Sequence, residues 1–184
     1  MKLTIRARKS TNKSETARIR REGDIPAIIY DRKGESQSVT VLGAEFSAHL
    51  RSIEKGCLAT QFFEVSAEGE KFRALVKDIA YCRTTYNILH IDLMKVEEED
   101  QVTIHVPVLC KGTDTCVGVT EGGQIKRVKR SVKTTLTVKD VPKAFYLDVS
   151  NVRLGESLRV RDLDTKDGMK VRLQESLVLV SVSK

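Results

Sequence analysis

Eight of the first 21 residues are lysine or arginine: Lys2, Arg6, Arg8, Lys9, Lys13, Arg18, Arg20 and Arg21. One acid, Glu15, lies among them. Side chains of this kind hold phosphate. A guanidinium offers two parallel donors to two oxygens, and a lysine supplies a point charge. Cations gathered on one surface attract a polyanion, and the attraction fades as salt is added. Such contacts position an RNA without reading its bases. Arg8, Lys13, Arg18 and Arg20 are the expected phosphate contacts. A merely solvated, charged amino-terminal segment is the plain alternative.

Two further groups could add selectivity. Tyr30 ends an apolar, β-prone run, Ile25-Pro26-Ala27-Ile28-Ile29-Tyr30. It can stack on a base or bond a ribose, and a packed tyrosine at a barrel end reads equally well. His90 and Asp92 stand two apart, which on a strand places both on one face. There the acid can accept from a base amino group, and the imidazole can stack or donate. A structural hydrogen-bonded pair at a domain edge is the competing reading. Catalysis is not expected, because no activated nucleophile accompanies the pair. His49 and His105 read as structural.

A second basic run, Lys126-Arg127-Val128-Lys129-Arg130 with Lys133, contains no acid and follows Gly122-Gly123. It suits contact with RNA, contact with protein, or a solvated loop or strand edge. The glycines do not form a phosphate loop, since the lysine and Ser/Thr that complete one are absent. Net charge is +7, from 32 basic and 25 acidic residues. The clustering of charge therefore matters more than its total.

Cys57, Cys82, Cys110 and Cys116 are separated by 24, 27 and 5 residues. No C-x-x-C pair or zinc spacing occurs, so free thiols, no metal and no cofactor are expected. The opening residues lack the apolar run of a signal peptide, and no run approaches membrane-spanning length. A cytoplasmic protein without a membrane partner is the expectation.

The elements that must hold these groups follow from hydrophobic periodicity. Residues 3–8 alternate as a strand, and residues 9–15 read as a polar loop. Residues 16–22 suggest a short helical turn stopped by Gly23. Strands follow at 27–30 and 38–42, joined by a loop over 31–35. Phe46, Leu50 and Ile53 mark an amphipathic helix over 44–53, ending near Gly56. A hairpin over 61–65 and 72–79 turns around Glu68-Gly69-Glu70, and a strand over 88–96 completes the set. A helix interrupting so many strands favours a barrel or a strongly curled sheet, which hides the edges. The acidic break Glu97-Glu98-Glu99-Asp100 will not enter a core and marks a boundary. Beyond it, strands at 102–109, 132–138, 145–149, 157–160 and 177–182 are separated by glycine turns, including Asp167-Gly168. The fold class is mainly β: a barrel domain over 1–94 with short helices, then an all-β sandwich or irregular barrel over 95–184.

Several stretches in order carry a family resemblance. They are Arg8 with Lys13, Arg18-Ile19-Arg20-Arg21-Glu22-Gly23, and the run from Ile25 to Tyr30. Val76-Lys77-Asp78-Ile79 and Ile88-Leu89-His90-Ile91-Asp92 continue them. Gly118-Val119, Glu121-Gly122-Gly123, Asp148-Val149-Ser150 and Leu154-Gly155-Glu156-Ser157 extend the match toward the carboxyl end. The chain resembles the bacterial 5S-ribosomal-RNA-binding family of the large subunit, in the long two-domain form also called general stress protein. The resemblance implies a barrel similar to the anticodon-binding barrels of a glutaminyl-type synthetase. It implies no chemistry, and a structural role at the central protuberance. Implied RNA contacts are Arg8, Lys13, Arg20, Tyr30, His90 and Asp92, with Arg18 inside the family's basic motif. The second domain is expected to reach neighbouring large-subunit components, and the free protein to be a monomer.

The chain departs from the family at identifiable positions. Asn12 and Ser14 replace glycines around Lys13, Ala17 replaces an arginine, and Asp31 replaces a glycine. Ala80, Cys82 and Arg83 stand where the family shows Gln and then His-Pro. Leu93 replaces a phenylalanine. Arg83 can offset the lost glutamine with a phosphate contact. The alternative function is a non-ribosomal, stress-related binder of structured RNA; a protein-interaction module is a third class. The arm over 9–15 is expected to be partly disordered without RNA.

Overall fold

The structure is a computed structural model describing residues 1–8, 12–31, 34–67, 70–165 and 169–184. It divides into two compact units, Met1–Asp100 and Gln101–Lys184. The first contains β1 (Lys2–Ala7), α1 (Lys13–Glu22), β2 (Ile25–Tyr30), β3 (Ser36–Val41) and α2 (Gly43–Ser52). After them come β4 (Phe62–Ala67), β5 (Glu70–Tyr81) and β6 (Ile88–Val96). The six strands close into a barrel in the order β1-β3-β2-β6-β5-β4. Closure is made by β1 and β4, which pair in parallel from Lys2 opposite Glu64 to Thr4 opposite Ser66.

The barrel closes because alternate residues of each strand are apolar and point inward. Leu3, Ile5, Ala27, Ile29, Val39, Val41, Ile91 and Leu93 are all buried in one cluster. Each large aliphatic or aromatic side chain removed from water stabilises the fold by roughly 1.5–3 kcal/mol. α2 plugs the cluster with Phe46, whose ring lies 6.0 Å from that of Phe63. His49 on the same helix packs edge-on to Phe63, and its Nε2–H donates to the Lys2 carbonyl at 2.6 Å. Phe46 and Phe63 are both fully buried.

Two local expectations need correction. Lys13, Ser14 and Glu15 form the first turn of α1 instead of a loop; residues 9–11 of that arm lie outside the described residues. The helix begins earlier because the Asn12 carbonyl accepts from both the amide and the hydroxyl of Thr16, while Glu15 sits favourably at the amino-terminal end of the dipole. Only Ile19 of this helix is buried, so periodicity gave little sign of it. Ile53, expected inside α2, is extended and caps it. The tips of the 31–35 and 68–70 turns, and the turn at Asp167-Gly168, also lie outside the described residues.

The second unit holds β7 (Gln101–Lys111), α3 (Val117–Thr120), β8 (Gln124–Arg127), β9 (Ser131–Thr137) and β10 (Phe145–Asp148). β11 (Ser157–Arg159), β12 (Lys170–Val171) and β13 (Val178–Ser183) follow. They form a four-stranded sheet, β10-β7-β9-β12, and a three-stranded sheet, β11-β13-β8. Its core includes Val106, Val132, Leu136, Leu179 and Val182, each nearly inaccessible. α3, β8 and β12 are absent from the sequence expectation. α3 and β8 span four residues each and β12 two, too few for a period to register.

Candidate nucleic-acid interface

The outer face of the barrel is built from the residues between its inward-pointing ones. On β6, Ile91 and Leu93 are fully buried, so His90 and Asp92 turn outward and remain partly exposed. β2 runs parallel beside them, with Ile28 opposite Asp92 and Tyr30 opposite Met94. β3 continues the row, with Ser38 opposite Ile28. Beyond it, the Arg8 amide donates to the Ser38 carbonyl at 3.0 Å. One line across the sheet thus joins Arg8, Ser38, Ile28 and Asp92.

Asp92 is the hub. Its Oδ1 accepts from His90 Nδ1–H at 2.7 Å, and its Oδ2 lies 3.4 Å from the donating Tyr30 hydroxyl. A carboxylate only accepts, so His90 must carry hydrogen on Nδ1, leaving Nε2 for another partner. The Asp92 charge, then burial, then the hydrogen bond hold the Tyr30 phenol above its ordinary value. Tyr30 therefore stays a protonated donor at neutral pH. The pair is hydrogen-bonded, as the structural reading expects, and both side chains remain partly exposed on the outer face.

Lys77 joins the hub and was not among the expected residues. Its ammonium lies 5.4 Å from the centre of the Tyr30 ring, within cation–π range. The β5–β6 register shifts between Val76 and Asp78, so Lys77 is the unpaired residue of a bulge. A bulge re-aims a side chain, and no sequence period signals where one will occur. Asp78, next along, is the register partner of Asp92.

The cations of α1 are held differently from one another. Gly23 adopts φ 88° and ends the helix; its amide donates to the Arg20 carbonyl, and the Asp24 amide to that of Ile19. Asp24 Oδ1 then accepts from the Gly43 amide at 3.3 Å, fixing the exit of the helix against α2. Arg20 Nε donates to the Leu89 carbonyl at 3.0 Å, which ties α1 to β6 one residue before His90. Arg18 pairs with Glu22 at 3.6 Å in open solvent, a bond of small worth. Lys13 is exposed in the first turn. Arg8 is half-buried, and its Nε is a buried donor with no partner among the described residues.

Arg83 stands apart from the hub. It lies exposed in the connection between β5 and β6, a loop closed by the Cys82 amide on the Asn87 carbonyl and the Tyr86 amide on the Cys82 carbonyl. Tyr86 has φ 56°, the left-handed region that glycine favours, and is 79% exposed. The Cys82 thiol is lowered to about 7, chiefly by its hydrogen bond to the Thr85 side chain and then by backbone donors at Thr85 and Thr84.

This arrangement separates two kinds of contact. Two carboxylates, Asp92 and Asp78, repel phosphate but accept from base amino groups and ribose hydroxyls. Lys77 over the Tyr30 ring, Arg20 tied to β6 and Arg8 across the sheet add cations that attract phosphate. Among the described residues no group of three or more His, Cys, Asp or Glu could hold a metal ion. Among the same residues, no helix is long and apolar enough to cross a membrane.

Comparison with known proteins gives a concordant picture. Residues 3–93 match the model of the Ribosomal L25p family, and residues 101–184 match that of the Ribosomal protein TL5, C-terminal domain. The large ribosomal subunit protein bL25 of Chlamydia muridarum is 33% identical over 184 residues, covering 100% of both chains. The same protein of Chlamydia trachomatis serovar L2 is also 33% identical, and that of Chlamydia pneumoniae 32%, each over the full length of both chains.

Proposed function

This chain belongs to the ribosomal L25p family, and from that premise we propose that its barrel docks on 5S ribosomal RNA and helps stabilise the central protuberance of the large subunit. Its ribosomal role is structural, not catalytic. The large subunit in the cytoplasm is its place of work. The docking domain in this reading is residues 1–94.

The observation that carries the reading is the Tyr30–Asp92–His90 hub on the outer face, with the Lys77 ammonium over the Tyr30 ring. Asp92 holds the Tyr30 hydroxyl and the His90 Nδ1–H in orientation before RNA arrives. Arg8, Arg20 and Lys77 then grip phosphates on either side, while the hub meets a base edge or ribose. Lys13 and Arg18 extend the phosphate contact along α1, and Arg83 reaches from the β5–β6 loop. The Arg8 Nε, without a partner among the described residues, supports this reading, because a buried donor without an acceptor costs about 1–3 kcal/mol and a phosphate or ribose oxygen would relieve that. The second unit meets neighbouring components of the subunit.

Crosslinking the full chain to total cellular RNA, followed by identification of the attached species, tests the proposal. 5S RNA joined through β2, β6 and α1 is the expected product. Enrichment of another structured RNA, with no cosedimentation with large subunits, would replace it by a stress-related RNA-binding role.

A further inference from the structure

We propose that the second unit carries an RNA-binding surface of its own, built where the chain passes from one sheet to the other and directed at the phosphates of a folded or duplex RNA. β8 ends at Arg127. The amides of Val128 and Lys129 then both donate to the Leu179 carbonyl of β13, at 2.9 and 3.2 Å. On the other side, the Val108 amide of β7 donates to the Arg130 carbonyl at 2.9 Å. The basic run is therefore pinned to both sheets, and all five residues from Lys126 to Arg130 are exposed.

The charge continues onto β9. Lys133 lies between Val132 and Thr134, both fully buried, so it points outward opposite His105. The Arg172 amide donates to the Lys133 carbonyl at 2.9 Å, and its Nε donates to Thr135 Oγ1 at 2.8 Å, which lays Arg172 along the face of β9 that carries Lys133. β7, β8, β9 and β12 contain no acid. The sheet's one strand acid, Asp148 on β10, already accepts from the Ser150 amide and hydroxyl. None of the five cations from Lys126 to Lys133 forms an ion pair with a described residue.

Like charges fixed this closely repel one another, and an incoming polyanion relieves the repulsion. A protein interface would require apolar or aromatic anchors at its centre. Here the single apolar side chain in the run is Val128, and the neighbouring sheet face offers the hydrogen-bonded hydroxyls of Thr103 and Thr135. The combination of forked arginines, point-charge lysines and hydroxyls suits a sugar-phosphate backbone. The choice of RNA over an acidic protein segment rests on membership of a ribosomal family. Which RNA the barrel grips does not enter it.

The test uses the full chain already carrying Arg8→Ala, Lys13→Ala and Arg20→Ala, so that the barrel's contribution is reduced throughout. Lys129→Gln, Arg130→Gln and Lys133→Gln are then added, with circular dichroism to verify the fold. Binding to an RNA duplex unrelated to 5S RNA, and to a poly-glutamate peptide, is measured across a series of KCl concentrations. Adding the three changes is expected to lower the log–log salt slope for the duplex by about 3, since each lost phosphate contact removes about 0.9. Lys129→Arg with Lys133→Arg should leave the slope unchanged. An unchanged duplex slope after the glutamine substitutions, no duplex binding by the parent, or an equal loss for poly-glutamate would overturn the proposal. Failure of the 5S reading shows separately, as equal affinity of the unsubstituted chain for 5S RNA and for the duplex.

Discussion

The outer face of the barrel and the basic corner of the second unit carry the same kind of charge in different settings. On the barrel, the cations are accompanied by a carboxylate whose two oxygens are already committed to Tyr30 and His90. At the corner, cations stand with no acid on their own strands and no ion pair among the described residues. The first arrangement can discriminate, because an acid penalises phosphate where it does not belong and rewards a base or ribose donor. The second can only attract. A count of lysines and arginines would score the two surfaces alike; their acids separate them.

The largest effect should come from removing the barrel's cations. Changing Arg8, Lys13 and Arg20 to alanine together is expected to weaken 5S RNA binding at least about a hundredfold, since each bond to a charged group contributes roughly 1.5–3 kcal/mol. The salt slope should fall by about 3. Filter binding at several salt concentrations measures both, and an unchanged slope would break the comparison by showing those cations to be solvated. Asp92→Asn sharpens it from the other side. That change removes no cation, so the salt slope for 5S RNA should stay constant, while discrimination between 5S RNA and a plain duplex falls about tenfold for a loss near 1.4 kcal/mol.

A smaller effect tests whether the face depends on the scaffold. An alanine methyl at position 43 would collide with the Gly23 carbonyl, which is backbone and cannot rotate away. Gly43→Ala should destabilise the barrel by about 1–3 kcal/mol. Hydrogen exchange should show faster opening of β2 and β6 with β7 and β9 unaltered, because the collision lies wholly within the first unit. The smallest effect concerns thiols. Cys82, lowered to about 7, should be half thiolate near neutral pH and take up iodoacetamide first. Burial pushes the Cys110 thiol of the second unit up, so it should lag at neutral pH and catch up only in alkali. Peptide mass spectrometry after timed alkylation at pH 6, 7 and 8 reads the order directly.

The sequence displayed the barrel well because alternation is a local signal. Ile91 and Leu93 announce an inward face, and that places His90 and Asp92 on the outward one. The joint between Asp92 and Tyr30 was not legible, since it depends on β2 lying parallel to β6, a pairing between residues 62 apart. Lys77 was missed for a similar reason: a bulge is decided by two strands together. In α1 a single buried residue, Ile19, left no stripe to trace, so its first turn read as loop. The basic corner was visible as a run of charge. Its attachment to β7 and β13 was not, because backbone hydrogen bonds leave no mark on side-chain type.

The order of staves around the cylinder also governs how it can be made. β1 needs β3 on one side and β4 on the other, while β2 waits for β6. A nascent chain extruded from its amino end therefore shows unpaired strand margins until residue 96 has emerged. Those margins are sticky toward other chains. During synthesis, the first unit stays in need of a chaperone's cover until its last strand is out.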